Sequence, residues 1–284
     1  MAATLMDGAA LAARIRQELK DEIAELGHIG LATILVGDDP ASDIYIRYKH
    51  RAADEVGIEA IDNRLPATTP EADVLELVEE LNDESAVDGI LVQTPLPDHI
   101  DEARVMRTIE PIKDVDGLNP FSAGQLYLGQ QTLAPATPLG VMQLLEEYEI
   151  PTTGARAVVV GRSTLVGKPL SMLLLQANAT VTICHSRTQD LARHTRDADI
   201  LVAAAGSPRL ITADMVKQGA AVIDVGITRT PEGLLGDVDP AVADVAAFLT
   251  PVPGGVGPMT IAALLRNAVR AARYRNGLLA FPRI

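Results

Sequence analysis

Tyr45 and Lys49 stand four residues apart in a stretch with helical spacing, so their side chains share one helix face. A phenol and an amine so placed could grip a substrate and move a proton. The plainer alternative is a solvated lysine beside a half-buried tyrosine. Lysine is scarce in this chain: Lys20, Lys49, Lys113, Lys168 and Lys217 are set among 24 basic residues, the rest arginine, so each lysine is worth inspecting. Gln93 ends a predicted strand at its carboxyl end, where open α/β sheets hold their ligands. Asp114 and Asp116 lie two apart in a polar loop and could hold a metal. The five histidines are scattered and no zinc spacing is present, so hydrogen bonding to a substrate is the favoured role and no metal is expected.

A second constellation lies downstream. The apolar run Arg156–Val160 leads into Gly161-Arg162-Ser163, then Val166-Gly167, then a helical stretch. Such a turn aims backbone N–H groups and the positive helix end at a phosphate. Ser163 stands where the usual fingerprint has its second glycine, so the turn alone also fits a purely structural role. The following strand ends Cys184-His185-Ser186-Arg187-Thr188, with no acid at its tip. An acid there would take the ribose 2′-hydroxyl of NAD, whereas Ser186 and Arg187, joined by Arg162, suit the 2′-phosphate of NADP. NADP is therefore the expected cofactor. Small residues at two further strand ends, Ala205-Gly206 and Gly226 before Ile227, would let a nucleotide lie against the backbone. Cys184 reads as a buried filler.

The elements that must position these groups follow from periodicity. Helices are predicted over Gly8–Leu26 behind an Asp7 cap, from a Ser42 cap to Val56, from Pro70 to Leu81, and from Thr137. Strands are predicted at Leu31–Val36, Ile58–Leu65 and Gly89–Gln93 in the first half. In the second they fall at 157–160, 180–184, 200–204, 221–225 and 246–249. A Gly/Pro loop then precedes a last helix, Met259–Tyr274. Alternating strands and helices predict two α/β domains with parallel sheets, the last helix returning to the N-terminal domain. The expected division is 1–137 plus 259–284 against 138–258.

Composition narrows the class. The 284 residues carry a net charge of −14, which disfavours nucleic acid and anionic membranes as partners. No apolar run reaches the roughly 18 residues of a membrane span, and the first residues lack a signal-peptide pattern. One cysteine cannot form an internal disulfide, so a cytoplasmic location is expected. Acidic excess with few lysines fits either a salt-rich cytoplasm or a GC-rich genome.

Taken together, Tyr45-x-x-x-Lys49, VQTPLP (92–97), KDVDG (113–117), PATP (135–138), GRSTLVGKP (161–169), CHSRT (184–188) and TPVPGGVGPMT (250–260) have a clear likeness. Their order strongly resembles the bifunctional methylenetetrahydrofolate dehydrogenase/methenyltetrahydrofolate cyclohydrolase family over nearly the whole chain. Departures from its usual motifs are Ala9, Thr94, Ala136 and Ser122. The resemblance implies a folate-binding catalytic domain and a Rossmann-like NADP domain, commonly in a homodimer. It implies Lys49, Gln93, Tyr45 and Asp116 as the catalytic set. Folate contacts are implied for these four and for Val92, Pro95, Leu96, Pro253, Gly254 and Gly255. The implied cofactor contacts are Gly161, Arg162, Ser163, Val166 and Gly167 in the turn and His185, Ser186 and Arg187 beyond it. Ala205, Gly206, Gly226 and Ile227 complete them. The rival readings are a monofunctional member of the family, a related dehydrogenase acting on another small acid, and a non-catalytic dinucleotide-binding regulator.

Overall fold

The computed structural model describes residues 2–231 and 233–282. The chain divides into two compact units. One comprises the chain up to Ala13 together with Thr137–Thr260; the other comprises Arg14–Ala136 and the chain from Ile261 on. The expected division is thus shifted by one residue near 137 and by two near 259. The segment before Arg14 goes with the other unit, because a short strand β1 (Thr4–Leu5) pairs with its sheet.

The first elements are α1 (Gly8–Leu26), β2 (Gly30–Val36), α2 (Pro40–Val56) and β3 (Glu59–Leu65), followed by α3 (Glu71–Asp83), β4 (Gly89–Val92) and α4 (Glu102–Thr108). Asp7 caps α1 as expected, accepting the Ala10 N–H at 2.9 Å. Helix α2 starts earlier than the sequence suggested: Asp39, not Ser42, is its cap, its carboxylate accepting the Ser42 N–H at 2.8 Å, with Pro40 in the first turn. Gly57 ends α2 with φ of 91°, a left-handed cap that glycine adopts without strain. The parallel sheet has the order β3-β2-β4, with β2 wholly buried. A continuous apolar strand is what a sheet covered on both faces requires. Ala32, Ile34 and Val36 pack with Val74, Val78 and Ile90 in this unit's core.

A helix absent from the sequence reading, α5 (Pro120–Tyr127), follows. Asn119 caps it and Pro120 opens it. Beyond α6 (Ala136–Glu147) come β5 (Arg156–Val160), α7 (Gly167–Gln176), β6 (Thr180–Cys184), α8 (Leu191–Thr195), β7 (Ile200–Ala203) and β8 (Ala221–Asp224). The hairpin β9 (Thr228–Thr230) and β10 (Gly233–Leu235), also unexpected, precedes β11 (Phe248–Leu249) and α9 (Val256–Arg275). The six-stranded sheet is parallel, in the order β1-β11-β8-β7-β5-β6. Chain order reverses at β5, which has β6 on one side and β7 on the other; in the smaller sheet it reverses at β2. In open parallel sheets the crevice at the carboxyl ends of such strands is the ligand site.

Candidate active site and cofactor loops

In the unit built on β3-β2-β4, the reversal point gathers Lys49, Gln93 and Asp116. Gln93 follows β4 and its N–H donates to the Ile34 carbonyl at the end of β2, at 2.9 Å. Lys49 Nζ, from α2, donates to Gln93 Oε1 at 3.1 Å. Gln93 Nε2 donates to the Thr94 carbonyl at 2.8 Å, so the amide oxygen is the atom turned to the lysine. Burial holds the Lys49 amine below its usual range, opposed by the Asp116 charge. Burial pushes the Asp116 carboxyl up, opposed by Lys49. Tyr45, one helical turn before Lys49, keeps 43% of its surface exposed and is available to a planar ligand. Pro95 is exposed and Leu96 half-buried against the core. The Val92 side chain is buried in that core, which leaves its backbone for any ligand contact.

The loop 113–117 shows why its residue types are fixed. Lys113 is buried, and its ammonium donates to the carbonyls of Leu81, Asn82 and Glu84 at 2.9, 2.6 and 2.9 Å. It therefore caps the carboxyl end of α3. Asp114 is buried too and accepts the N–H groups of Leu118 and Asn119 at 3.2 and 2.8 Å. Val115 fills the core, and Gly117 takes φ of 63° where a Cβ would lie 2.7 Å from the Leu133 carbonyl. Only Asp116 is left to face Lys49. Asn267 of α9 donates to the Val115 and Ala134 carbonyls at 2.7 and 2.8 Å, holding this loop from behind. The sequence reading missed Asn267. Its signal was one polar residue within the buried stripe Ala263, Leu264, Ala268, Ala271. Ser122, one of the departures, is fully buried.

In the other unit, the turn after β5 lies at the reversal point. A Cβ on Gly161 would collide with the Ala204 carbonyl, and one on Gly167 with the Gly161 carbonyl, so both glycines are required by close backbone approach. The Ser163 hydroxyl accepts the Val166 N–H at 3.1 Å and the Gly167 N–H at 3.4 Å, supporting the start of α7. At the tip of β6, His185 and Thr188 close a small turn. Thr188 Oγ1 accepts the His185 N–H at 2.8 Å, and His185 Nδ1 accepts the Arg187 N–H at 3.2 Å. Ser186, Arg187 and Arg162 are exposed, and no ion pair involves either arginine among the described residues. Two exposed guanidinium groups without an ion pair, no acid at the strand tip and a glycine cradle make a donor set whose chemistry fits NADP. Ala205 and Gly206 are exposed beyond β7, and Ile227 is exposed beyond the buried Gly226. Pro253, Gly254 and Gly255 belong to this unit, where the Gly254 carbonyl accepts the Ala9 N–H at 2.9 Å.

Comparison with known proteins decides between the readings. Residues 6–116 match the catalytic domain, and residues 135–276 the NAD(P)-binding domain, of tetrahydrofolate dehydrogenase/cyclohydrolase. This chain belongs to the tetrahydrofolate dehydrogenase/cyclohydrolase family. It is 55% identical over 279 residues to the bifunctional protein FolD of Moorella thermoacetica, a match spanning 96% of this chain and 100% of that one. It is similar to the crystal structure of the FolD methylenetetrahydrofolate dehydrogenase/cyclohydrolase of Campylobacter jejuni, at 47% identity and a TM-score of 0.95, covering 96% and 100% of the two chains. It is also similar to the Trypanosoma brucei enzyme complexed with NADP and an inhibitor, at 39% identity and a TM-score of 0.93, covering 99% and 100%. In this chain Lys49 is hydrogen-bonded to Gln93 and feels the charge of Asp116.

Proposed function

We propose that this chain oxidises 5,10-methylenetetrahydrofolate to 5,10-methenyltetrahydrofolate with NADP. It then hydrolyses the product to 10-formyltetrahydrofolate, Lys49 moving the proton in the second step. The observation that carries this reading is the Lys49–Gln93 hydrogen bond beside Asp116.

In the first step the two nitrogens flanking the methylene carbon supply the electron push, and a delocalised amidinium cation results. NADP, when bound, supplies the two-electron acceptor. The chain's own work is to orient: Tyr45 stacks on the pterin, and the Asp116 carboxylate accepts from its amino and ring N–H groups. No general base is needed for this step.

The second step needs one. Water adds to the cationic carbon and loses one proton to the neutral Lys49 amine, leaving a hydroxyl on that carbon. The C–N5 bond then breaks as N5 takes that proton from Lys49, and the hydroxyl proton leaves to solvent as the formyl C=O forms. Lys49 serves as a base because burial depresses its pKa, and the cationic substrate depresses it further. Gln93, with its oxygen turned to Nζ, accepts one amine hydrogen and directs the lone pair elsewhere.

The family resemblance supports a homodimer in the cytoplasm that supplies one-carbon units for purine, methionine and histidine biosynthesis. No helix among the described residues is long and apolar enough to cross a membrane.

The test is to supply methylenetetrahydrofolate and NADP and to follow reduced nicotinamide and methenyltetrahydrofolate separately. Both activities in one chain predict more reduced nicotinamide than accumulated methenyl product. Equal amounts would leave a dehydrogenase alone, and no reduction would remove the oxidative step.

A further inference from the structure

Two acids unused by the steps above are buried at the carboxyl end of the six-stranded sheet. Asp237 has no exposed surface. Its carboxylate accepts three successive backbone N–H groups, those of Ala205, Gly206 and Ser207, at 2.6, 2.9 and 2.7 Å. Asp224, the last residue of β8, is 4% exposed. Its Oδ1 accepts the N–H groups of Gly226 at 3.1 Å and of Asp237 itself at 2.9 Å, and its Oδ2 accepts that of Val238 at 3.0 Å. Its own N–H donates to Thr250 Oγ1 at 2.7 Å. A Cβ on Gly226 would collide with the Asp237 carboxyl, and one on Gly236 with that of Asp224.

The two carboxylates therefore act in series. Asp224 seats the backbone of Asp237 and of Gly226, and Asp237 folds the Ala205–Ser207 loop. We propose that Asp237, seated by Asp224, is a positioning residue for NADP: it holds the loops after β7 and β8 in the shape that receives the cofactor, without touching it. The inference rests on the reading of Ala205, Gly206, Gly226 and Ile227 as the cofactor-facing ends of those strands. Three N–H groups in a row would otherwise form an anion-binding concavity. Here an internal carboxylate fills it, so the loop is fixed before any ligand arrives.

The two activities of one chain give a direct test. Asp237→Asn keeps the size of the side chain. Each carboxylate oxygen accepts at least one N–H, so either amide orientation sets an NH2 group against a donor. The dissociation constant of NADP and its KM should both rise about tenfold or more, with a smaller change in kcat. Cyclohydrolase activity on supplied methenyltetrahydrofolate, measured without NADP, should stay within about twofold of wild type. A merely structural role would lower both activities together. Wild-type binding of NADP with unchanged binding by the variant overturns the proposal alone. Failure of the wild-type protein to bind NADP overturns the cofactor reading beneath it as well. Should Asp237→Asn not fold, Thr250→Val, which removes the hydroxyl accepting the Asp224 N–H, decides. A KM for NADP raised about threefold with intact cyclohydrolase supports the proposal, and an unchanged KM overturns it.

Discussion

Lys49 and Gln93, 44 residues apart in sequence, meet at 3.1 Å with the amine donating to the amide oxygen. The Gln93 amide is held in that orientation by its own bond to the Thr94 carbonyl. The pairing is neutral on the glutamine side, so it aligns the amine without stabilising its charged form as a carboxylate would. Gln93→Glu should therefore spoil the base while keeping the contact. An acid at that position raises the lysine pKa by about 1–3 units, so cyclohydrolase kcat at pH 7 should fall roughly tenfold or more, with its pH profile moved to higher pH. Parallel pH profiles for variant and wild type would contradict the role given to Gln93.

The pH dependence of the wild-type cyclohydrolase follows from the direction of the Lys49 shift. Burial lowers that pKa, so the neutral amine is present at lower pH than for a free lysine, and activity rises as pH rises through the lowered value. Asp116 opposes the shift by holding the ammonium. Asp116→Asn should move the rising limb of kcat to lower pH and, at the same time, raise the KM for the folate. A limb that stays in place would separate Asp116 from Lys49.

On the proposed reading, Arg162 and Arg187 are the groups offered to a 2′-phosphate. Loss of a charge-assisted contact in Arg187→Ala should raise the KM for NADP about 10–100-fold and leave that for NAD nearly unchanged. Steady-state kinetics with both cofactors reads the difference; an equal rise for both would remove the arginine from 2′-phosphate recognition.

Scarce lysines suggested chemistry, and one of them does structural work instead. Lys113 donates to three carbonyls at the end of α3 and is almost wholly buried. Lys113→Met should lower stability by about 3 kcal/mol in urea titrations, because buried carbonyls lose their donors. The folded fraction should keep the dehydrogenase-to-cyclohydrolase ratio of the wild type. A changed ratio with unchanged stability would make it a site residue.

The sequence spoke clearly where local pattern decides structure. The continuous apolar runs of β2, β5, β7 and β8 pointed to covered parallel strands, and Gly161 and Gly167 sit at a close backbone approach that the structure contains. It was less clear at the start of α2, where Asp39 and Ser42 are both good caps and Pro40 decides for the earlier one. A like pair, Asn119-Pro120, a cap followed by a proline, marks the start of α5. Within KDVDG the motif was visible but the division of labour was not. Lys113, Asp114 and Asp116 are divided in role by what lies opposite them: Leu81 to Glu84 and Lys49 come from distant segments, and Asn119 is brought back to Asp114 by the turn that follows it. Asp224 and Asp237 were hidden for the same reason: an aspartate at a strand end and one in a loop show no role until their N–H partners are known.

Asp114 offers a check on that division through stability. Burial raises its carboxyl to about 6 from an ordinary 3.8, so its folded pKa lies above its unfolded one. A group of that kind contributes stability that is present below the unfolded value and is lost as pH rises through the folded one. Relative to Asp114→Asn, the wild-type protein should gain up to about 3 kcal/mol as pH falls from 7.5 to below 4. Urea midpoints at the two ends of that range read it, and a difference independent of pH would place Asp114 in contact with solvent.

On the proposed mechanism one lysine, Lys49, serves the hydrolytic step and not the oxidative one. Both activities of Lys49→Met should be measured in a single folded preparation, the dehydrogenase by reduced nicotinamide and the cyclohydrolase by loss of supplied methenyltetrahydrofolate. The cyclohydrolase should fall by about 10²–10⁴-fold while the dehydrogenase stays within about tenfold of wild type. Equal and complete loss of both activities would contradict it and leave Lys49 as a residue that binds the folate.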